Sequence, residues 1–128
     1  MVLAGDLKDR EQVERVKRKM SSRSYDITGK TGLRRIIALL KLSRAVLGND
    51  SGPGHLAAAV GTPVLSLFGP TSEVFGFTPW GEKTAVLSRP LECRPCSLHG
   101  GTECRRGRRA CLDDIAPGDV MDALRDLL

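Results

Sequence analysis

Residues 45 to 71 read Ala45-Val46-Leu47-Gly48-Asn49-Asp50-Ser51-Gly52-Pro53-Gly54-His55-Leu56-Ala57-Ala58-Ala59-Val60-Gly61-Thr62-Pro63-Val64-Leu65-Ser66-Leu67-Phe68-Gly69-Pro70-Thr71. Ala45 to Gly48 is a short apolar run of the kind that forms a buried strand. Asn49 to Gly54 is a loop. Leu56 to Val60 is a short apolar helix that Gly61 stops. Val64 to Phe68 is a second buried strand. An apolar strand, a helix and another apolar strand within 27 residues make a β-α-β unit, whose strands lie parallel.

The same alternation extends outward. Val2-Leu3-Ala4 is a short apolar stretch ending at Gly5. Val13, Val16 and Met20 follow at helical spacing after Asp9, and Tyr25-Asp26-Ile27 is a weaker strand. Beyond the loop at 28–32, Leu33, Ile36, Ile37 and Leu40 line one side of another helix. The fold class is therefore α/β, a Rossmann-like parallel sheet of about four strands with flanking helices. Residues 69–116 form a long Pro- and Cys-rich loop region, with one strand at Thr84 to Leu87. Pro117 stands where a helix begins, and Val120, Leu124 and Leu127 give that terminal helix, 117–127, its apolar side. The length suits one domain, 1–128. That domain starts inside an α/β alternation, so the chain reads as truncated at its N-terminus. A missing first strand would leave a sheet edge exposed and the chain prone to aggregate.

Composition narrows the partners. The net charge of +5 favours anionic ligands. Aromatic residues are only 4%, with none interleaved among Arg105, Arg106, Arg108 and Arg109, so no nucleic-acid partner is expected. That Arg run and the cluster Arg15, Lys17, Arg18 and Lys19 are equally well read as solvated basic faces. No apolar run approaches the ~18 residues that cross a bilayer, and Gly5, Asp6 and Lys8 interrupt any signal peptide. A cytoplasmic location is the expectation.

The chemistry gathers at Asn49 to Ala59. Ligands of parallel sheets bind at the carboxyl ends of strands, and a helix N-terminus there offers free N–H groups and a partial positive charge. Gly52 and Gly54 would let a diphosphate approach the backbone, and the Ser51 hydroxyl can donate to it. Asp50 can accept from sugar hydroxyls or pair with a lysine. His55, in the first helical turn, could stabilise a leaving diphosphate. The bland reading stands beside this one: Asp or Ser before a helix is an ordinary N-cap.

The ordered string from Leu47 to Thr71 resembles the signature of the heptosyltransferases, glycosyltransferase family 9, which move heptose from ADP-heptose to the inner core of lipopolysaccharide. An Asp-Ser-Gly turn, a His three residues after that Gly, an Ala-rich helix, a Gly-x-Pro strand entry and a Gly-Pro-Thr exit are all present. The family more often carries Asp-Pro where Ser72-Glu73 stands. Thr28-Gly29-Lys30-Thr31-Gly32 resembles the family loop that holds the nucleotide base, with Lys30 and Thr31 as its contacts. A P-loop is excluded, because Ser24 occupies the position of its first Gly. Gly5 with Asp9 and Glu11 resembles a Gly-plus-acid turn whose acid takes the ribose hydroxyls. Either acid could equally be first-turn helix decoration.

The resemblance implies the C-terminal, donor-binding half of a two-domain GT-B glycosyltransferase. The other half would bind the lipopolysaccharide core acceptor and supply the general base, so no catalytic base is assigned here and the chain alone is expected to be inactive. A phosphate-contacting lysine of the family would also lie upstream. The whole enzyme would work in the cytoplasm or at the inner membrane's cytoplasmic face, as a peripheral protein. The diphosphate needs no metal, and no acidic pair suits Mg²⁺. Two other readings are a non-catalytic nucleotide- or phosphosugar-binding module and a small zinc-loop interaction domain.

Cys93, Cys96, Cys104 and Cys111 have the spacing C-x2-C-x7-C-x6-C. The first pair resembles a metal knuckle and the second does not. A structural zinc, free thiols and a disulfide all stay open, with the reducing compartment disfavouring the last. His99 is either a further ligand or part of an exposed loop.

Overall fold

The computed structural model describes residues 1–101 and 103–128 of the chain. The sequence reads as one domain, but its contacts gather into two compact units, Met1–Ile36 and Ile37–Leu128.

In the first unit, β1 (Val2–Leu3) and β2 (Tyr25–Asp26) pair in parallel, with Val2 opposite Tyr25. Between them a short 3₁₀ turn, Leu7–Asp9, leads into α1 (Arg10–Lys19). Its start is set by a reciprocal cap. The Asp6 carboxylate accepts from Leu7 N–H, and the Asp9 carboxylate accepts from Asp6 N–H at 2.8 Å. Gly5 is required here, because a Cβ on it would lie 2.8 Å from the Asp9 carboxylate. Hydrogen bonds from Thr28 to Asp26, with the Lys30 and Lys17 charges, hold the Asp26 carboxyl below its ordinary range against the opposing effect of burial. Gly29 takes φ +66°, and a Cβ there would lie 2.4 Å from a Leu7 methyl, so this turn admits glycine alone.

The helix α2 (Leu33–Leu42) leads into the second unit. There β3 (Val46–Asn49), β4 (Val64–Phe68) and β5 (Thr84–Ser88) form a parallel sheet in the order β3-β4-β5. The strands thus pair in two parallel groups, one within each unit. The central strand is the core: Val64, Leu65 and Phe68 are fully buried, while Leu47 on the end strand β3 is half exposed. The sequence marks both strands as buried, but only a strand with a partner on either side meets that expectation here.

Register brings the carboxyl ends together. Asn49 lies opposite Leu67 and Phe68 opposite Ser88, so β3, β4 and β5 all finish at one edge. The Asp50 N–H continues the ladder to the Leu67 carbonyl. The helix α3 (Gly52–Ala59) begins four residues earlier than its apolar side suggests. Pro53 explains this: its fixed φ suits the first helical turn, where a missing N–H costs nothing. Ala57 is fully buried, so α3 packs through its small residues. The chain closes with α4 (Ala110–Asp113) and α5 (Pro117–Leu127). Leu112 of α4 packs so closely on Gly69 that a Cβ there would meet it at 2.7 Å.

Candidate functional site

The turn between β3 and α3 opens on a cleft of about 280 Å³ at the carboxyl edge of the sheet. Asp50, Ser51, Gly52 and His55 line it from the turn, and Thr71, Phe77, Leu98 and His99 line it from segments beyond β4. A larger hollow of about 520 Å³ is lined by Ser72, Glu73, Ser88, Pro90, Leu91, Glu92 and Arg94. We place the site in the smaller one. It holds the N-terminus of α3 at the carboxyl edge of the sheet.

The ordinary N-cap reading fails in one respect. Ser51 occupies the cap position of α3, but its side chain makes no capping bond. Its hydroxyl turns back and donates to the Asn49 carbonyl at 3.1 Å. Nor is Asp50 used as a cap. Its carboxylate accepts from the Thr71 hydroxyl at 2.9 Å, and Thr71 is itself buried. Among the described residues, neither Ser51 nor Asp50 caps the first turn of α3, the condition in which a helix N-terminus can receive an external anion. His55 is exposed at the same turn.

The two glycines divide their work. A Cβ on Gly52 would meet nothing within 4 Å, so the backbone there faces open space. Gly54 is buried, and a Cβ on it would contact Pro79 at 3.4 Å and Ser66 at 3.5 Å. Gly54 therefore packs α3 onto the sheet, and it is not among the residues that line the cleft. The helical rotation between positions 52 and 54 turns one outward and the other onto the sheet.

Thr71 belongs to the Gly69-Pro70-Thr71 exit from β4, and the following loop straps onto that exit. Arg94 donates from Nη2 to the Thr71 carbonyl at 2.8 Å, and from Nη1 to the Arg89 carbonyl at 2.6 Å. The Cys96 N–H donates to the Pro70 carbonyl at 2.8 Å. Gly100, at φ +71°, sits so close to Pro70 that a Cβ would lie 2.9 Å from its ring. In the neighbouring hollow, burial works against ionisation of Glu73. Bonds from its own N–H and from Ser88, together with the Arg94 charge, outweigh this and set its carboxyl below the ordinary range.

Thr71→Val keeps the volume and removes the hydroxyl that orients Asp50. Its expected effect is a loss of roughly 1 kcal/mol in nucleotide-sugar affinity, about fivefold, with the fold retained. Calorimetric titration beside a denaturant melt checks this, and unchanged affinity would show that Thr71 does not support Asp50.

The remaining sequence candidates divide as follows. Lys30 donates to the Asp26 carbonyl at 3.0 Å and is exposed, and Thr31 is half-buried beside it in the first unit. Asp9 closes the cap described above, whereas Glu11 stands exposed on the first turn of α1. The four cysteines are free thiols, and among the described residues no three His, Cys, Asp or Glu side chains gather as a metal ion requires. Cys96 and Cys104 turn their sulfurs to the Cys93 and Arg108 carbonyls, and Cys111 is buried. Burial, with the nearby Cys96 and Cys104, raises the Cys111 thiol despite the opposing Arg94 charge.

A parallel α/β sheet with a helix N-terminus and a fixed carboxylate at its carboxyl edge is an arrangement of the Rossmann type. Residues 1–104 match the sequence profile of glycosyltransferase family 9 (heptosyltransferase), and the chain belongs to that family. It is 33% identical over 132 residues to lipooligosaccharide heptosyltransferase 2 of Haemophilus ducreyi, a match that covers 98% of this chain and 37% of that protein. Lipopolysaccharide heptosyltransferase 3 of Escherichia coli K12 is 50% identical over 56 residues, covering 44% of this chain and 16% of that one. Among solved structures, the E. coli ADP-heptose lps heptosyltransferase II superposes with a TM-score of 0.79 at 28% identity, over 98% of this chain and 35% of that one. The chain thus spans little more than a third of the length of these full-span relatives.

Proposed function

We propose that this chain binds the nucleotide-sugar donor of a heptosyltransferase reaction, and that the whole protein transfers heptose from ADP-heptose to the inner core of lipopolysaccharide. The observation that carries this reading is the Asp50-Ser51-Gly52 turn. It leaves α3 uncapped, opens free space over Gly52 and holds Asp50 through Thr71. Membership of a family described as heptosyltransferases supports the choice of sugar.

In the reaction, an acceptor hydroxyl attacks the anomeric carbon of the donor and the bond from that carbon to the diphosphate breaks. ADP leaves with the electron pair, and the hydroxyl proton passes to a base outside these residues. The N-terminus of α3 and an N–H of His55 stabilise the charge growing on the diphosphate. Asp50 accepts from sugar hydroxyls, and Ser51 donates to the phosphate after turning from the Asn49 carbonyl. In this reading the protein acts at the cytoplasmic face of the inner membrane within a GT-B framework. No helix among the described residues is long and apolar enough to cross a membrane.

The test is a transfer assay on the protein encoded by the complete reading frame. Wild type is expected to transfer heptose from ADP-heptose to a heptose-deficient lipopolysaccharide core, and no transfer would refute the function. His55→Ala should lower turnover about a hundredfold, the scale of one lost oxyanion donor, with donor affinity nearly unchanged. A loss confined to affinity would remove His55 from the leaving-group role.

A further inference from the structure

The cleft has a second wall that the turn motif does not supply. Phe77 lies beyond β4, and Leu98 and His99 lie in the cysteine-containing loop. The rings of Phe77 and His99 pack at 5.8 Å between centroids with planes 34° apart, and Phe75 packs behind Phe77 at 6.4 Å. His99 is exposed but its backbone is well held. Ser97 Oγ donates to the Gly100 carbonyl at 2.8 Å across the turn that carries it. Gly100 packs on Pro70, and the Arg94 and Cys96 bonds tie the loop to Pro70 and Thr71. The loop thus brings His99 beside Phe77, and the pair lines the same cleft as Asp50, Ser51, Gly52 and His55.

We propose that Phe77 and His99 form the sugar-recognising wall of this site and select the donor's sugar. The inference rests on the donor-binding reading given above. Three observations carry it. First, the turn and the aromatic pair line one continuous cleft of about 280 Å³, so a ligand held at the turn lies within reach of the pair. Second, the diphosphate is drawn to the uncapped turn, which leaves the opposite wall to the sugar. Third, a sugar ring has an apolar C–H face and a rim of hydroxyls. A ring face at Phe77 suits the first, and an imidazole N–H beside it suits the second. The loop that carries the cysteines then acts as a specificity element: it holds His99 and Leu98 at the sugar.

The test is calorimetric titration of the complete chain with two probes, ADP and ADP-heptose, in wild type, His99→Ala and Phe77→Ala. Circular dichroism melts of each variant check the fold. His99 is exposed, so its variant should melt as wild type does, and it remains decisive if Phe77→Ala does not fold. The expected result is about a tenfold loss of ADP-heptose affinity in each folded variant, with ADP affinity within about twofold of wild type. An equal loss for both probes would place the aromatic pair on the nucleotide and overturn the proposal while the donor site stands. No loss for either probe would overturn it too. Failure of wild type to bind either probe would remove the donor-site reading and this inference together.

Discussion

Gly52→Val is expected to abolish nucleotide binding while leaving the fold intact, a loss of at least about a hundredfold in affinity. Both halves follow from geometry. Nothing in the protein lies within 4 Å of a Cβ at position 52, and the backbone there has no positive φ, so the folded chain accommodates the side chain. The same space is where a diphosphate must approach the first turn of α3, and a branched side chain displaces it from the N–H groups. Titration with ADP, alongside a urea melt of the variant, checks both halves at once. Retained affinity in a folded Gly52→Val chain would show that the anion does not bind at this turn. The contrasting variant, Gly54→Val, should act through stability instead, because position 54 already contacts Pro79 and Ser66.

The largest stability effect is expected at Phe68. This side chain is wholly buried at the carboxyl end of the central strand, one residue before the Gly69-Pro70-Thr71 exit that positions Asp50. Phe68→Ala should cost about 3–5 kcal/mol, from lost burial and the cavity left behind. Since small domains are stable by only about 5–15 kcal/mol, much of the folded margin would go. A shift of the urea midpoint at unchanged slope would report it. A change below about 1 kcal/mol would mean that the strand end repacks easily and is not the rigid base of the site. Loss of nucleotide binding should follow only as the fold is lost, which separates Phe68 from Gly52.

Several parts of this molecule were open to reading along the chain. The β3-α3-β4 unit is legible because apolar runs, a Gly stop and a Pro start are local signals, each tied to backbone conformation. The Asp50-Ser51-Gly52 turn is legible because its place between strand and helix sets its chemistry. The family resemblance, drawn from Leu47 to Thr71, agrees with the profile match over residues 1–104. Even Thr71 lay within the quoted Gly-Pro-Thr exit, though nothing in its spacing disclosed the bond to Asp50.

What the chain's order determined by itself is therefore the class of structure and the place of the strand-to-helix turn, since both arise from neighbours within a few residues. Tertiary structure alone decided the rest. It separated Gly52 from Gly54 because outward and inward positions depend on what α3 packs against. It divided the strands into two parallel groups and left β3 at an end, because pairing joins segments distant in sequence. It turned two cysteine sulfurs toward backbone carbonyls and buried a third cysteine. And it carried His99, 44 positions beyond His55 in the sequence, into the same cleft. The straps from Arg94, Cys96 and Gly100 to the Pro70–Thr71 turn hold that loop there, and bonds of such sequence separation leave no periodic trace for a reader of the sequence to follow.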